Sequence, residues 1–248
     1  MKLKPEDMKK QVVIIGAALM SGWVLLNSCN NSGATIKLKE PAIEQEETAY
    51  SRKTSTAESL ADAKEKTIDN LLAAFNGETT ASAKYAACTK KAVQEGYPQI
   101  AILFSAVSAA EKIHSGNHMA VLEESGIKTV PINPEYTVKS TTENLKDAIK
   151  GETYEATIMY PEFLKIADEA GNPMAMLSLN YALKTEKTHR LIYEKALVAL
   201  ETNTLKSLSD VYYICATCGN TYDAAPPQRC GICMTRSEKF IKINKVAL

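Results

Sequence analysis

Net charge is the first thing this sequence lacks: 29 Lys and Arg face 29 Asp and Glu, and the pI is about 6.8. Without a basic surplus there is no electrostatic footprint for a polyanion, which disfavours a nucleic-acid partner. Histidine is scarce, with only His114, His118 and His189. A disulfide framework is missing although six cysteines occur: Cys29 follows an apolar segment, Cys88 falls in a helical pattern, and four form two Cys-x-x-Cys pairs. The apolar run from Val12 to Leu26 is too short to span a bilayer comfortably, its fifteen residues falling below the roughly 20 a spanning helix needs.

What is present begins with that run. Lys2, Lys4, Lys9 and Lys10 precede it and Asn27-Ser28-Cys29 follows, the order of a basic and then apolar signal peptide. Leu26-Asn27-Ser28-Cys29 resembles a bacterial lipoprotein signal, which implies cleavage and acylation at Cys29 and places the mature chain at a membrane of the cell envelope, on the periplasmic side or outer surface. Met8 fits as a start as well as Met1. From Asn30 to about Ala57 the chain is polar and aperiodic, which reads as a flexible tether.

Beyond the tether the chain carries one unit twice. Glu111-Lys112-Ile113-His114 and Glu186-Lys187-Thr188-His189 are Glu-x-x-His motifs, and on a helix residues three apart share a face. Each follows a Gly-Glu pair, Gly77-Glu78 and Gly151-Glu152. An offset of 74 aligns Asn70 with Asn144 and Glu78 with Glu152; after one inserted residue an offset of 75 aligns Pro98 with Pro173, Glu111 with Glu186 and His114 with His189. Glu155 breaks the symmetry, because Ala81 stands opposite it. A Glu from each of two helices plus Glu-x-x-His from each of two others is the ligand inventory of ferritin-like di-iron and di-manganese bundles.

Helical periodicity places these residues in apolar stripes. The pattern predicts helices over 59–95, 98–124, 141–170 and 174–202, with 125–140, which holds Gly126, Pro131 and Pro134, as the long connection. Glu78, Glu111, His114, Glu152, Glu155, Glu186 and His189 all fall on inward positions. Five buried carboxylates repel one another and two imidazoles cannot neutralise them, so the set demands a cation. His118 has no histidine counterpart, Tyr193 being aligned with it, and reads as a supporting or core histidine. Cys88 reads as a small buried apolar residue.

After a linker, residues 213–248 change character. Cys215-Ala216-Thr217-Cys218 and Cys230-Gly231-Ile232-Cys233 are paired knuckles that present four thiolates to one tetrahedral ion. Taken alone, such a module reads as a structural zinc ribbon. The domain division is therefore a leader at 1–28, a tether at 29–58, a four-helix bundle at 59–204 and a four-cysteine module at 210–248.

From about residue 60 onward the chain closely resembles the rubrerythrin family. The resemblance rests on Gly77-Glu78, Glu111-x-x-His114, Gly151-Glu152-Thr153-Tyr154-Glu155, Met159-Tyr160-Pro161-Glu162-Phe163, Glu186-x-x-His189, and the tail Tyr213-Ile214-Cys215-x-x-Cys218-Gly219 with Tyr222, Pro226-Pro227 and Cys230-x-x-Cys233. It implies an all-α protein: a ferritin-like four-helix bundle followed by a small rubredoxin-like domain. It also implies a non-haem di-iron site, with Glu78, Glu111, Glu152 and Glu186 as ligands, Glu111 and Glu186 bridging, and His114 and His189 terminal. Glu155 matches a carboxylate that exchanges with the histidine at the position of His114, and Tyr85 and Tyr160 match tyrosines near the site. Cys215, Cys218, Cys230 and Cys233 match the ligands of a mononuclear iron, with zinc the alternative.

The implied activity is a peroxidase that reduces hydrogen peroxide to water, fed by a donor of rubredoxin or reductase type and protecting against oxidative stress. A di-iron oxidase or ferroxidase, or a non-catalytic iron-binding electron-transfer lipoprotein, are the alternatives. Homodimers are common in the family. The leader departs from it, since most members are cytoplasmic, and a cytosolic NADH-linked reductase could not reach a domain outside the inner membrane.

Overall fold

The computed structural model describes residues 43–246. The leader and its Cys29 lie outside the described residues. Among the described residues no helix is long and apolar enough to cross a membrane.

Four helical rods form the bundle. α1 spans Ile43–Gln94 and α2 spans Pro98–Glu124. The third rod is composite: α3 Thr141–Tyr154, a π-helical turn Glu155–Met159 and α4 Tyr160–Glu169. α5 spans Pro173–Glu201. A helix was expected to begin at Ser59, but α1 begins sixteen residues earlier, so the later part of the expected tether is helical. Between Ile43 and Glu58 there is no Gly or Pro, and Glu, Gln, Ala, Arg and Lys predominate. Intrinsic propensity carries the helix where no apolar stripe announces it.

The π turn explains the shift in the repeat. Glu78 pairs with Glu152 at an offset of 74 but Tyr85 pairs with Tyr160 at 75, so the extra residue falls within 153–160. A single inserted residue in a helix is absorbed as one wide turn. Here Tyr160 N–H reaches back to the Glu155 carbonyl, and Pro161, which has no N–H to offer the ladder, opens α4.

Rod ends are tied by side chains. Ser140 caps α3, accepting from Glu143 N–H while the Glu143 carboxylate accepts from Ser140 N–H, and Asn172 caps α5 by accepting from Ala175 N–H. Glu95, just beyond α1, accepts from Thr141 N–H at 2.8 Å and so joins the end of the first rod to the start of the third. Ser82 and Ser108 exchange hydroxyl-to-carbonyl bonds at 2.8 and 2.7 Å, stitching α1 to α2.

Apolar packing falls into two clusters along the bundle. One surrounds Tyr85, Phe104, Leu145 and Tyr193; the other surrounds Leu71, Leu122, Tyr160 and Leu179. Between them sit the buried acids and imidazoles.

The tail is a three-stranded antiparallel sheet, β1 Tyr212–Cys215, β2 Thr221–Tyr222 and β3 Phe240–Ile243, in the order β2-β1-β3. Tyr213 pairs with Tyr222 on one side and with Lys242 on the other. Leu208, Tyr212 and Ile214 join the cluster of the bundle core, which also holds Cys88. The tail is therefore packed into the bundle rather than hung from it.

Candidate metal centres

Four helices present the acids and imidazoles from opposite sides, and all six convergent residues are at most 2% exposed. Their ligand atoms form two overlapping groups: Glu78, Glu111, His114 and Glu186, and Glu111, Glu152, Glu186 and His189, each with all atoms within 4.8 Å. Glu111 and Glu186 belong to both. His114 Nδ1 lies 2.9 Å from Glu111 Oε2, 2.9 Å from Glu186 Oε1 and 3.5 Å from Glu78; His189 Nδ1 lies 2.7 Å from Glu186 Oε2 and 3.1 Å from Glu111 Oε1. Metal bonds of about 2.1 Å put neighbouring ligand atoms about 3 Å apart, so the spacing fits two cations.

The hydrogen bonds point the same way. His114 Nε2–H donates to the Cys218 carbonyl at 3.1 Å, and His189 Nε2–H donates to Thr221 Oγ at 3.0 Å while that hydroxyl gives its own proton to the Gly219 carbonyl. Both rings therefore turn Nδ1 toward the acids, as metal-bound imidazoles do when an outer acceptor fixes their tautomer. Tyr85 donates to Glu152 Oε1 at 2.8 Å and Tyr160 donates to Glu78 Oε1, each tyrosine crossing to the acid of the other half. Both Glu111 oxygens, Glu152 Oε2, Glu186 Oε1 and His114 Nδ1 are buried without a hydrogen-bond partner. Buried lone pairs left over in this way are what a bound cation satisfies.

Electrostatics state the same need. Burial, then Glu111 and Glu186, push Glu78 up to about 8, and burial with neighbouring acids pushes Glu152 and Glu155 well above the carboxylate range. Burial opposes the charge on Glu186 too, but His114 and His189 overcome it and hold its carboxyl below that range. Burial likewise disfavours imidazolium, yet the surrounding acids raise His114 well above its ordinary value and His189 to about 9. Positive charge is what the cluster lacks.

Glu155 belongs to neither group. It sits half-buried on the π turn. His118 and Tyr193, four residues beyond each Glu-x-x-His, are fully buried but face the tyrosines rather than the acids.

In the tail, Cys215, Cys218, Cys230 and Cys233 place their sulfurs within 4.8 Å of one another. Cys215 and Cys233 are 3.4 Å apart and Cys218 and Cys230 3.5 Å. A disulfide would need about 2.05 Å, whereas thiolates on one tetrahedral ion at about 2.3 Å stand somewhat under 4 Å apart. Tyr222 closes over the site by donating to Cys230 Sγ at 3.6 Å.

The family model for rubrerythrin matches residues 69–197. The chain belongs to the rubrerythrin family. It is 33% identical to rubrerythrin-2 of Clostridium acetobutylicum, over 70% of this chain and 95% of that protein. It is 36% identical to nigerythrin of Nitratidesulfovibrio vulgaris, over 70% of this chain and 85% of that one. The solved structure of fully reduced, all-ferrous nigerythrin superposes with a TM-score of 0.65 at 34% identity, covering 71% of this chain and 86% of that chain. As a rubrerythrin-family protein it is an oxidoreductase with a di-iron centre in a ferritin-like bundle, and its four-cysteine site suits a mononuclear iron.

Sequence reasoning did not reach the backbone carbonyl of Cys218, nor Thr221, nor Ser178 behind His118. A carbonyl leaves no residue-type signal, and a serine or threonine in a helix or strand looks like any other. Gly77 and Gly151, which drew the eye to the repeat, have open space where a Cβ would sit, and nothing in the structure explains them.

Proposed function

We propose that this protein is a peroxidase that reduces hydrogen peroxide to water at the bundle site, with electrons arriving through the four-cysteine site. The observation that carries the reading is the pair of ligand groups sharing Glu111 and Glu186, whose outer imidazole nitrogens rest on the tail, His114 Nε2 on the Cys218 carbonyl and His189 Nε2 on the Thr221 hydroxyl. In it, Glu78, Glu111 and His114 would hold one iron and Glu152, Glu186 and His189 the other, with Glu111 and Glu186, which belong to both ligand groups, shared between them. Two bound ferrous ions would supply the two electrons that cleave the O–O bond, and Cys215, Cys218, Cys230 and Cys233 would hold the iron that serves as the route for their replacement.

The chain's own residues set the conditions. Tyr85 orients Glu152 by donating to Oε1, which leaves Oε2, 3.8 Å from His189 Nδ1, for a cation, and Tyr160 orients Glu78 by donating to Oε1, the oxygen that also faces His114 Nδ1. Phe104, Tyr193 and the apolar clusters exclude bulk water. The Cys218 carbonyl accepts from both His114 Nε2 and Thr185 Oγ, so one peptide joins a cysteine ligand directly to a bundle imidazole. Glu155 offers a nearby carboxyl whose protonated form is favoured by burial and the neighbouring acids in the metal-free fold, a candidate to give a proton as the O–O bond breaks. In the same reading the leader tethers the protein to the cell envelope through acylated Cys29, the protein is a homodimer, and the donor is a rubredoxin or reductase type.

The deciding experiment is metal analysis with visible absorption on the purified protein, followed by peroxide titration of the reduced form. About three irons per chain, thiolate-to-iron bands that bleach on reduction and one peroxide consumed per two electrons are expected. Faster reoxidation by dioxygen than by peroxide would turn the reading to an oxidase or ferroxidase. Zinc in the four-cysteine site would remove the internal electron route.

A further inference from the structure

Behind the di-iron site lies a row of polar groups that the metal ligands do not use. Tyr160 gives its hydroxyl proton to Glu78, so its oxygen is free to accept, and His118 Nε2 stands 3.2 Å away. That requires Nε2–H, which leaves Nδ1 as an acceptor, and Ser178 Oγ lies 2.8 Å from Nδ1. Ser178 is only 5% exposed, yet it lines a surface cavity of about 140 Å³ together with Asn117, Val121 and Tyr181. The cavity has room for a few waters. Every hydrogen in the row Ser178, His118, Tyr160 therefore points inward, from solvent to a carboxylate of the site.

We propose that Ser178, His118 and Tyr160 form a hydrogen-bonded proton path from that cavity to Glu78, with His118 as its positioning residue. The proposal rests on the peroxidase reading, because reduction of one peroxide to two waters consumes two electrons and two protons. In one passage the Ser178 O–H bond breaks as Nδ1–H forms, Nε2–H breaks as a new Tyr160 O–H forms, and the old Tyr160 O–H breaks as Glu78 is protonated. Ser178 recovers its proton from cavity water. Glu78 then gives the proton to an oxygen of the reduced peroxide; between passages the ring turns toward the cavity, where water takes the Nδ1 proton and returns one to Nε2, and two passages serve one peroxide. Neither His118 nor Tyr160 acquires a net charge, since each gives one proton as it takes another. Burial and the nearby His114 also keep the His118 ring neutral, its imidazolium favoured only below about 3.

The repeat supplies an internal control. Across the pseudo-twofold axis Tyr85 still donates to Glu152, but Tyr193 stands where His118 does and Leu103 where Ser178 does. Leu103 is fully buried and the Tyr193 hydroxyl is buried without a partner. One half of the bundle keeps a packed apolar core; the other accepts a buried histidine and serine and gains a connected row. Burying such groups costs stability unless each is paired, and here each is.

The test compares wild type, His118→Phe and Ser178→Ala in the full, iron-loaded chain. His118→Phe fills the ring's volume while breaking both bonds, and Ser178→Ala removes only the outermost donor. Iron content equal to wild type, with oxidation of the chemically reduced protein by peroxide slowed on the order of tenfold or more and a larger solvent deuterium isotope effect, is the expected result. A folded His118→Phe at the wild-type rate overturns the path; if that variant does not fold, an unchanged rate and isotope effect in Ser178→Ala overturn it. A second readout needs no turnover: nitrogen-15 NMR of the zinc-substituted protein is expected to show neutral His118 with its proton on Nε2. A proton on Nδ1 reverses the row and overturns the proposal. A wild type that ignores peroxide overturns the peroxidase reading instead, and the path is then judged by the tautomer and by the same rate ratios with dioxygen.

Discussion

The carbonyl oxygen of Cys218 lies 3.1 Å from His114 Nε2, so the two candidate metal centres are joined by a single hydrogen bond between residues 104 apart in the chain. The contact depends on Gly219, which follows Cys218 at φ +77°: a Cβ there would stand 2.4 Å from His114 Nε2 and 3.2 Å from the Ala110 carbonyl. Neither neighbour can give way, since one ring is held in the site and the other atom is helix backbone. Gly219→Ala is therefore expected to lift the knuckle off the bundle. Turnover driven by an external reductant should fall about 10- to 100-fold, as small misplacements commonly do, while oxidation of a chemically reduced bundle site in a single turnover stays near wild type. Stopped-flow comparison of the two rates checks it, and equal losses in both would refute the link.

Cys218→Ser tests the same route from the other end. Loss of one of four thiolates is expected to strip or alter the tail ion and to abolish reductant-driven turnover. Single-turnover oxidation of the chemically reduced protein should survive, because none of the bundle acids or imidazoles is touched. Survival of both reactions would mean that electrons reach the bundle by another way.

Much of this arrangement was legible in the sequence, for a physical reason. Glu111 with His114 and Glu186 with His189 stand three apart within apolar helical stripes, and charge in such a stripe is costly without a partner, so the residues advertise themselves. The insertion near Glu155 was legible as a change of offset, but its form was not, because periodicity counts residues and does not say which turn widens. The early start of α1 was hidden since a helix carried by intrinsic propensity needs no apolar stripe. The contacts that join the tail to the bundle were hidden too, as they run through the Cys218 carbonyl and the Thr221 hydroxyl, and Ser178 acquires meaning only once His118 is placed beside it.

Glu95 gives a prediction independent of metal. Thr141, through its side chain and then its N–H, holds the carboxyl down at about 2, with Lys91 3.0 Å away adding to the effect. A depressed folded value means that the contribution to stability is complete above the unfolded value near 4.5 and is lost as pH falls toward 2. Solvent reaches this group, so its worth is about 1 kcal/mol, or roughly 2–4 °C in Tm for a chain of this size. Glu95→Gln is expected to lower Tm by that amount at pH 7 and to differ less and less from wild type as pH is taken from 4.5 to 2. A constant difference across that range would show that the amide bond alone matters.

Glu155 brings stability and function into opposition. Burial, Glu78, Glu186 and Glu111 all raise its pKa well above the usual range, so the metal-free fold disfavours the ionised form that the unfolded chain adopts freely. The sign is that of a destabilising residue, its cost growing as pH rises above the unfolded value of about 4.5. Glu155→Ala should therefore raise the Tm of the metal-free protein at pH 7 by a few degrees, roughly 2–4 °C per kcal/mol relieved. Metal content should be little changed, since its carboxylate belongs to neither ligand group, whereas peroxide turnover should fall about 10-fold or more with the loss of a nearby proton donor. Calorimetry of the metal-free variant together with turnover of the loaded one decides the matter: a lower Tm with full turnover would make Glu155 a structural acid, and the π turn that carries it a feature of packing alone.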